Sequence, residues 1–336
     1  MTALVCDLGG TNARLGLVED GLLLPNTVVS LANDDFTDFP SLLGSYLVSL
    51  QKPDLDSICI ALAAVPTPEG ARLTNRDWDI RRDDVAAAGG VSNVHFLNDF
   101  EALALSLRQA DQHELQVLYQ GTKPSRLGPR MVLGAGTGFN AAVCFPSRIG
   151  QASNVSAAEC GHMTLPIEGE EELSLQAYLA AKRGRASVER ALSGNGLVEI
   201  YNWCCRSNGR NLRFHEAAEI SAEAASHGDP DCQQAADLLL RLLGRVSGDL
   251  ALAFLPTGGI FLSGGVTRSL APLMRATSST FQTAFRSKGR QSSFMEGFPI
   301  SLLLDDRAAL AGCAEWLRSK GAAGSSVRLD RNDEAT

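Results

Sequence analysis

Apolar and polar positions alternate from the first residues: TALVCDL, a Gly-Gly pair, NARLGLVE, then an Asp-Gly turn into LLL. Period-two runs broken by glycine turns predict a β-meander, not a strand that feeds directly into a helix. A helical pattern follows around residues 39–50, then a buried strand SICIALAAV, a polar loop holding TNRDW, a short helix, the strand VHFLND and the helix EALALSLRQA. These elements make one complete α/β unit.

The pattern then restarts. RMVLGAGTGFNAAVCF reads again as strand, Gly/Thr turn and strand, and Ala- and Leu-rich helices lead to the strand GGIFLSGGV. The expectation is a duplication of topology without a duplication of sequence. ISLLLDD and RAALAGCAEWLRS are expected to return a strand and a helix to the first unit. From Lys320 to Thr336 the chain is polar and rich in Gly and Ser, which predicts a mobile tail. The expected organisation is a small α/β lobe of residues 1–108 plus about 303–320, a large α/β lobe of 109–302, and a tail of 321–336. A length of 336 residues suits two lobes, and two lobes imply a cleft.

Charge narrows the partners. A formal net charge of -8 opposes contact with a phosphate backbone, so nucleic acid is not expected. No stretch approaches the ~20 apolar residues of a membrane span, and the start lacks the pattern of a signal peptide, so a cytoplasmic protein with no membrane partner is expected. Of eight cysteines, Cys6, Cys59, Cys144 and Cys313 sit inside apolar runs and Cys204 and Cys205 are adjacent. Buried free thiols fit this better than a disulfide or zinc framework, and no metal site is expected.

Asp7 to Thr11 (DLGGT) puts a carboxylate, two glycines and a hydroxyl at the end of a buried strand. Such a turn can cradle an anion, although a lone Gly-Gly in a hairpin reads more simply as a turn needing positive φ. Recurrence changes that balance. GAGTG (Gly134 to Gly138) and SGGV (Ser263 to Val266) end two further strands, which suggests two hairpins about a nucleotide's phosphates and a third turn near its adenosine. Neither a P-loop nor a dinucleotide fingerprint occurs. Asn98 and Asp99 stand where a strand passes into a helix, the place of a helix cap and equally of a catalytic base. Glu159 and His162 in AAECGHM and Glu189 in SVERALSG are each ordinary alone. As a set, carboxylates, an imidazole and an amide match a polyhydroxylated ligand, whose hydroxyls both donate and accept.

In order and spacing, DLGGTN, TNRDW, FLNDF, GAGTG, EXGH and VERALSG resemble bacterial glucokinase of the non-ROK, hexokinase-like group, from Val5 to about Leu317. The resemblance implies an actin-like ATPase, ribonuclease H-like duplicated fold with two lobes and a cleft. It implies an ATP-dependent hexose kinase that phosphorylates glucose at its 6-hydroxyl, using ATP with magnesium carried by the nucleotide, as a homodimer. It assigns the sugar hydroxyls to Asn98, Asp99, Glu159, His162 and Glu189, with Asp99 as catalytic base. It assigns the nucleotide to Cys6, Asp7, Leu8, Gly9, Gly10 and Thr11, to Gly136, Thr137 and Gly138, and to Gly264 and Gly265.

Three departures stand out. Asn140 replaces a glycine of the common GTGLG, where tolerance of the left-handed region would let Asn serve; Cys160 interrupts EGGH; and Ala64-Val65-Pro66 stands for the usual CP dipeptide. The ROK zinc cluster CxCGxxGC is absent, which argues against a sugar-sensing repressor. The alternatives are a kinase of another hexose or amino sugar, or a catalytically weak sugar-binding regulator. An Hsp70- or actin-type ATPase would leave the sugar set without a purpose.

Overall fold

Strand Thr2–Leu8 is buried on both faces, so its alternation sorts side chains between two cores and not between core and water. Leu4, Cys6 and Leu8 join Ile58, Ile60 and Leu62 and the helix Phe39–Ser49 on one side. Ala3 and Val5 join Cys59 and Ala61 on the other, under Ala102 and Leu105 of the helix Asp99–Ser106 and Leu310, Cys313 and Leu317 of the last helix, Ala308–Leu329. All eight cysteines are buried thiols outside any disulfide.

The computed structural model describes residues 1–73, 76–146, 154–276 and 278–329, with side chains as far as Lys320. It falls into two units: Met1–Gln112 with Pro146–Ala157 and Asp305–Thr336, and His113–Phe145 with Ala158–Leu304. In the first, Thr2–Leu8 forms an antiparallel hairpin with Asn12–Glu19 and runs parallel to Ser57–Leu62, which is parallel to Val94–Asn98. In the second, Arg130–Ala135 forms an antiparallel hairpin with Phe139–Phe145 and runs parallel to Gly259–Ser263, which is parallel to Ile300–Leu303. The same plan occurs twice: a hairpin whose first strand leads into parallel neighbours. The expected duplication of topology is therefore present.

Ile300–Leu303 also pairs antiparallel with Leu115–Tyr119, so this strand stays in the second sheet and only the last helix joins the first unit. The reason is the alternation of Ile300 and Leu302, which enter the core of the second unit. The segment expected as a mobile tail is helical to Leu329, and 330–336 lie outside the described residues. TNRDW lies between two short strands, Gly70–Arg72 and Asp79–Arg81; its Thr74 and Asn75 lie outside the described residues.

One close approach fixes the helix that begins with Asp99. Gly312 lies against the carbonyl of Ala102, where a β-carbon would overlap the oxygen. Glycine is what lets the two helix backbones come this near. Gly312→Ala is expected to lower stability by about 1–3 kcal/mol, as overpacked cores do. Urea unfolding checks this, and an unchanged midpoint contradicts it.

Candidate functional site

In the first sheet Leu8, Leu62 and Asn98 stand in register at the ends of three parallel strands, the edge where α/β sheets carry their ligands. The DLGGT turn leaves this edge at one strand and Asn98–Asp99 at another. Cys6 and Leu8 bury their side chains in the core, so only their backbone faces outward chemistry, whereas Thr11 is exposed.

Asp7 is a quarter exposed, with Oδ2 3.5 Å from Arg14 Nη1. Burial pushes its carboxyl above the ordinary range; Arg14 opposes the shift and Asp306 adds to it. Arg14 is steered by donating Nη1 to the carbonyl of Asp306 at 2.7 Å.

Asn98 is the N-cap of the helix Asp99–Ser106. Its Oδ1 accepts from the N–H groups of Phe100 at 3.0 Å and Glu101 at 3.3 Å, and Glu101 returns a bond to the Asn98 N–H, closing a capping box. Its Nδ2 donates to the carbonyl of Ala64 at 3.1 Å, in the stretch where the CP dipeptide is replaced. Asn98 thus takes the cap reading, and Asp99, whose Oδ1 accepts the Phe100 N–H at 2.9 Å, is carried on the first turn that the cap orders.

The second unit collects the other candidates. Gly136 N–H donates to Gly138 O at 2.9 Å, and Gly194 N–H donates to Gly136 O at 2.8 Å. Gly264, at φ +93°, lies so close to the carbonyl of Ala135 that no side chain fits there, and Thr267 Oγ1 accepts the Ala135 N–H at 3.1 Å. GAGTG and SGGV therefore form one glycine-lined surface, with Thr137 exposed and Gly265 opening the helix Gly265–Ser269.

Glu189, in the helix Val188–Ala191, accepts the Phe139 N–H on Oε2 at 3.2 Å. Glu159 and His162 flank a single tight turn and are exposed, with Glu159 Oε2 3.9 Å from His162 Nε2. Gly161 between them faces the Phe139 carbonyl and Glu189, so this turn and Glu189 share one strand end. Arg185 adds a bond from Nη1 to the His162 carbonyl at 2.8 Å. Asn98, Asp99 and the Cys6–Thr11 turn thus belong to the first unit, and Glu159, His162, Glu189, Gly136, Thr137, Gly138, Gly264 and Gly265 to the second.

Two departures from the family pattern turn out to touch. Asn140 is not in the left-handed region; it is a buried strand residue opposite Gly134, and its Oδ1 accepts the N–H groups of Ala141 at 2.9 Å and Cys160 at 3.0 Å. Its amide replaces backbone freedom with a bond to the turn bearing Glu159 and His162. Residues that sequence reasoning passed over, Asn33, Gly161, Gly194 and Thr267, act on backbone groups distant in sequence, which no local pattern announces. Among the described residues no helix is long and apolar enough to cross a membrane, and no group of three or more His, Cys, Asp or Glu is arranged to hold a metal ion.

Two outcomes test the local chemistry. Asn140→Ala leaves the buried Cys160 N–H without its acceptor and is expected to cost about 1–3 kcal/mol in urea unfolding; a loss below about 0.5 kcal/mol contradicts the bond's importance. For Asp7 the sign follows from its raised folded-state pKa: the fold disfavours its ionised form, so stability is fully present below the ordinary carboxylate range and is lost as pH rises through the raised value. The stability of Asp7→Asn relative to the parent is expected to rise between about pH 4 and pH 7, and a difference independent of pH contradicts this.

The chain is similar to known proteins over most of its length. The glucokinase family model matches residues 4–320. The curated glucokinase of Sinorhizobium fredii (strain NBRC 101917 / NGR234) is 32% identical over 319 residues, covering 94% of this chain and 92% of that protein. A crystal structure of glucokinase from an Antarctic psychrotroph matches with a TM-score of 0.78 at 27% identity, over 94% of this chain and 98% of that one. The structure of glucokinase from Balamuthia mandrillaris in complex with glucose matches with a TM-score of 0.78 at 21% identity, over 94% and 93%. The shared fold is the actin-like ATPase fold of sugar kinases, as the family resemblance implied.

Proposed function

The chain belongs to the glucokinase family, and we propose that it transfers the γ-phosphoryl group of ATP to the 6-hydroxyl of glucose, yielding glucose 6-phosphate and ADP. The observation that carries this reading is the edge of the first sheet, where a glycine turn and the cap-ordered Asp99 leave the two parallel strands that flank Ser57–Leu62. A phosphate cradle and a carboxylate at one sheet edge are the two things that in-line phosphoryl transfer asks of a protein.

Asp99 takes the proton of the 6-hydroxyl as that oxygen bonds to the γ-phosphorus, and the bond from phosphorus to the ADP oxygen breaks. ATP enters as its magnesium complex, the metal travelling with the nucleotide and compensating phosphate charge. The backbone of Cys6, Asp7, Leu8, Gly9, Gly10 and Thr11 and the turns at Gly136, Thr137, Gly138, Gly264 and Gly265 hold the nucleotide.

The sugar hydroxyls are held by Asn98, Asp99, Glu159, His162 and Glu189. Glu189 commits Oε2 to the Phe139 amide, which leaves Oε1 for the sugar. Asn98 has one Nδ2 hydrogen beyond that given to Ala64. Homodimer assembly belongs to this proposal on the family resemblance, and a cytoplasmic location on the pattern of the sequence.

Asp99→Asn keeps the shape and removes the base. Turnover with glucose and MgATP is expected to fall by about two to four orders of magnitude while calorimetric glucose affinity is retained. Near-normal turnover removes Asp99 from this role.

A further inference from the structure

Asn33 is fully buried, and its side chain is committed to the glycine turn. Nδ2 donates to the carbonyl of Gly9 at 2.9 Å and of Gly10 at 3.1 Å, and the Asn33 backbone N–H donates to the carbonyl of Thr11 at 2.9 Å. Since carbonyl oxygens only accept, the amide nitrogen must be the atom facing them.

This grip has a consequence set by the geometry of the peptide group. In a trans peptide the C=O and the following N–H point in opposite directions, and no peptide among the described residues is cis. Drawing the carbonyls of Gly9 and Gly10 onto Asn33 therefore turns the N–H groups of Gly10 and Thr11 the other way. Neither amide donates to an acceptor among the described residues. Successive N–H groups facing one way make a concavity suited to an anion.

The arrangement is kept against a cost, because Asn33 Oδ1 is buried and has no partner among the described residues. It is also braced from behind. Arg76 Nη2 donates to the Asn33 carbonyl at 2.9 Å and Nη1 to Asp34 Oδ1 at 2.7 Å, with the guanidinium 4.4 Å from the centre of the Trp78 ring. Trp78 is itself held by Nε1 donating to the Thr37 carbonyl at 3.1 Å.

We infer that Asn33, braced by Arg76, is the positioning residue that presents the Gly10 and Thr11 amides to the phosphates of ATP. This rests on the proposed function, which gives the Cys6–Thr11 turn to the nucleotide. Asn33 is buried behind the turn and acts only through it, so its loss separates nucleotide from sugar.

The test measures binding of the nonhydrolysable ATP analogue AMPPNP by calorimetry, with KM for MgATP and for glucose. Asn33→Ala is expected to weaken AMPPNP about tenfold or more and raise the KM for MgATP in step, with the KM for glucose held within about twofold. Asn33→Asp, which sets an acceptor against two carbonyl oxygens, shifts the same way and further. Arg76→Met removes only the brace and is expected to give a smaller shift, about threefold, in the same direction. Circular dichroism establishes that each variant is folded, and Arg76→Met decides the matter if the Asn33 variants are not.

Unchanged AMPPNP affinity in a folded variant overturns the inference and leaves the proposed function standing. Equal weakening of nucleotide and glucose overturns it too, since that is the mark of a general structural role. Failure of the parent chain to bind AMPPNP removes the proposed function, and the inference with it.

Discussion

At a strand end, peptide groups leave the ladder and lose the partners it supplied, and whatever takes them over decides where the remaining donors point. Every candidate group of this chain depends on that handover. In the first unit, the side chain of Asn33 takes the carbonyls of Gly9 and Gly10. In the second, Glu189 takes the Phe139 amide, Asn140 the Cys160 amide and Gly194 the Gly136 carbonyl. A buried peptide group without a partner costs about as much as a lost hydrogen bond, so these partners are as necessary to the turns as the turn glycines are.

The helix bearing Asp99 is held by the same economy at its two faces. Asn98 and Glu101 satisfy its first amides, and Gly312 lets the last helix approach its backbone at Ala102. A carboxylate proposed for proton transfer needs a fixed origin, and Asp99 stands on a capped turn pressed against a second helix. Glu159 and His162 differ: their turn is pinned by Asn140, Gly161 and Arg185, while both side chains are exposed. The backbone of that turn is fixed and its side chains are left to meet a ligand.

What the sequence made legible was local. Period-two runs and glycine turns disclosed both hairpins, and an Asn-Asp pair before an apolar helical run disclosed the strand-to-helix passage at Asn98. Ligands named by motif order came with the family resemblance. What stayed hidden was contact between distant residues. Asn33 reaches back to Gly9 across a hairpin, Asn140 finds Cys160 on another segment, and Gly312 meets Ala102 on another helix. Asn140 is the instructive error: read as a left-handed turn residue from its place in a glycine motif, it is an extended strand residue whose side chain does the linking. Ile300–Leu303 was expected in the wrong sheet because an apolar run says that a strand is buried without saying beside which neighbour.

The proposed reaction joins the γ-phosphoryl group of ATP to the 6-oxygen of glucose. The measurement that meets it most directly is product formation by the purified protein with MgATP and, in turn, glucose, mannose, galactose, fructose and N-acetylated hexosamines, with phosphorylated sugar identified by phosphorus NMR. Glucose 6-phosphate with matching ADP, and the highest kcat/KM for glucose, is the expected result. Absence of any sugar phosphate, with glucose and nucleotide both bound, contradicts it.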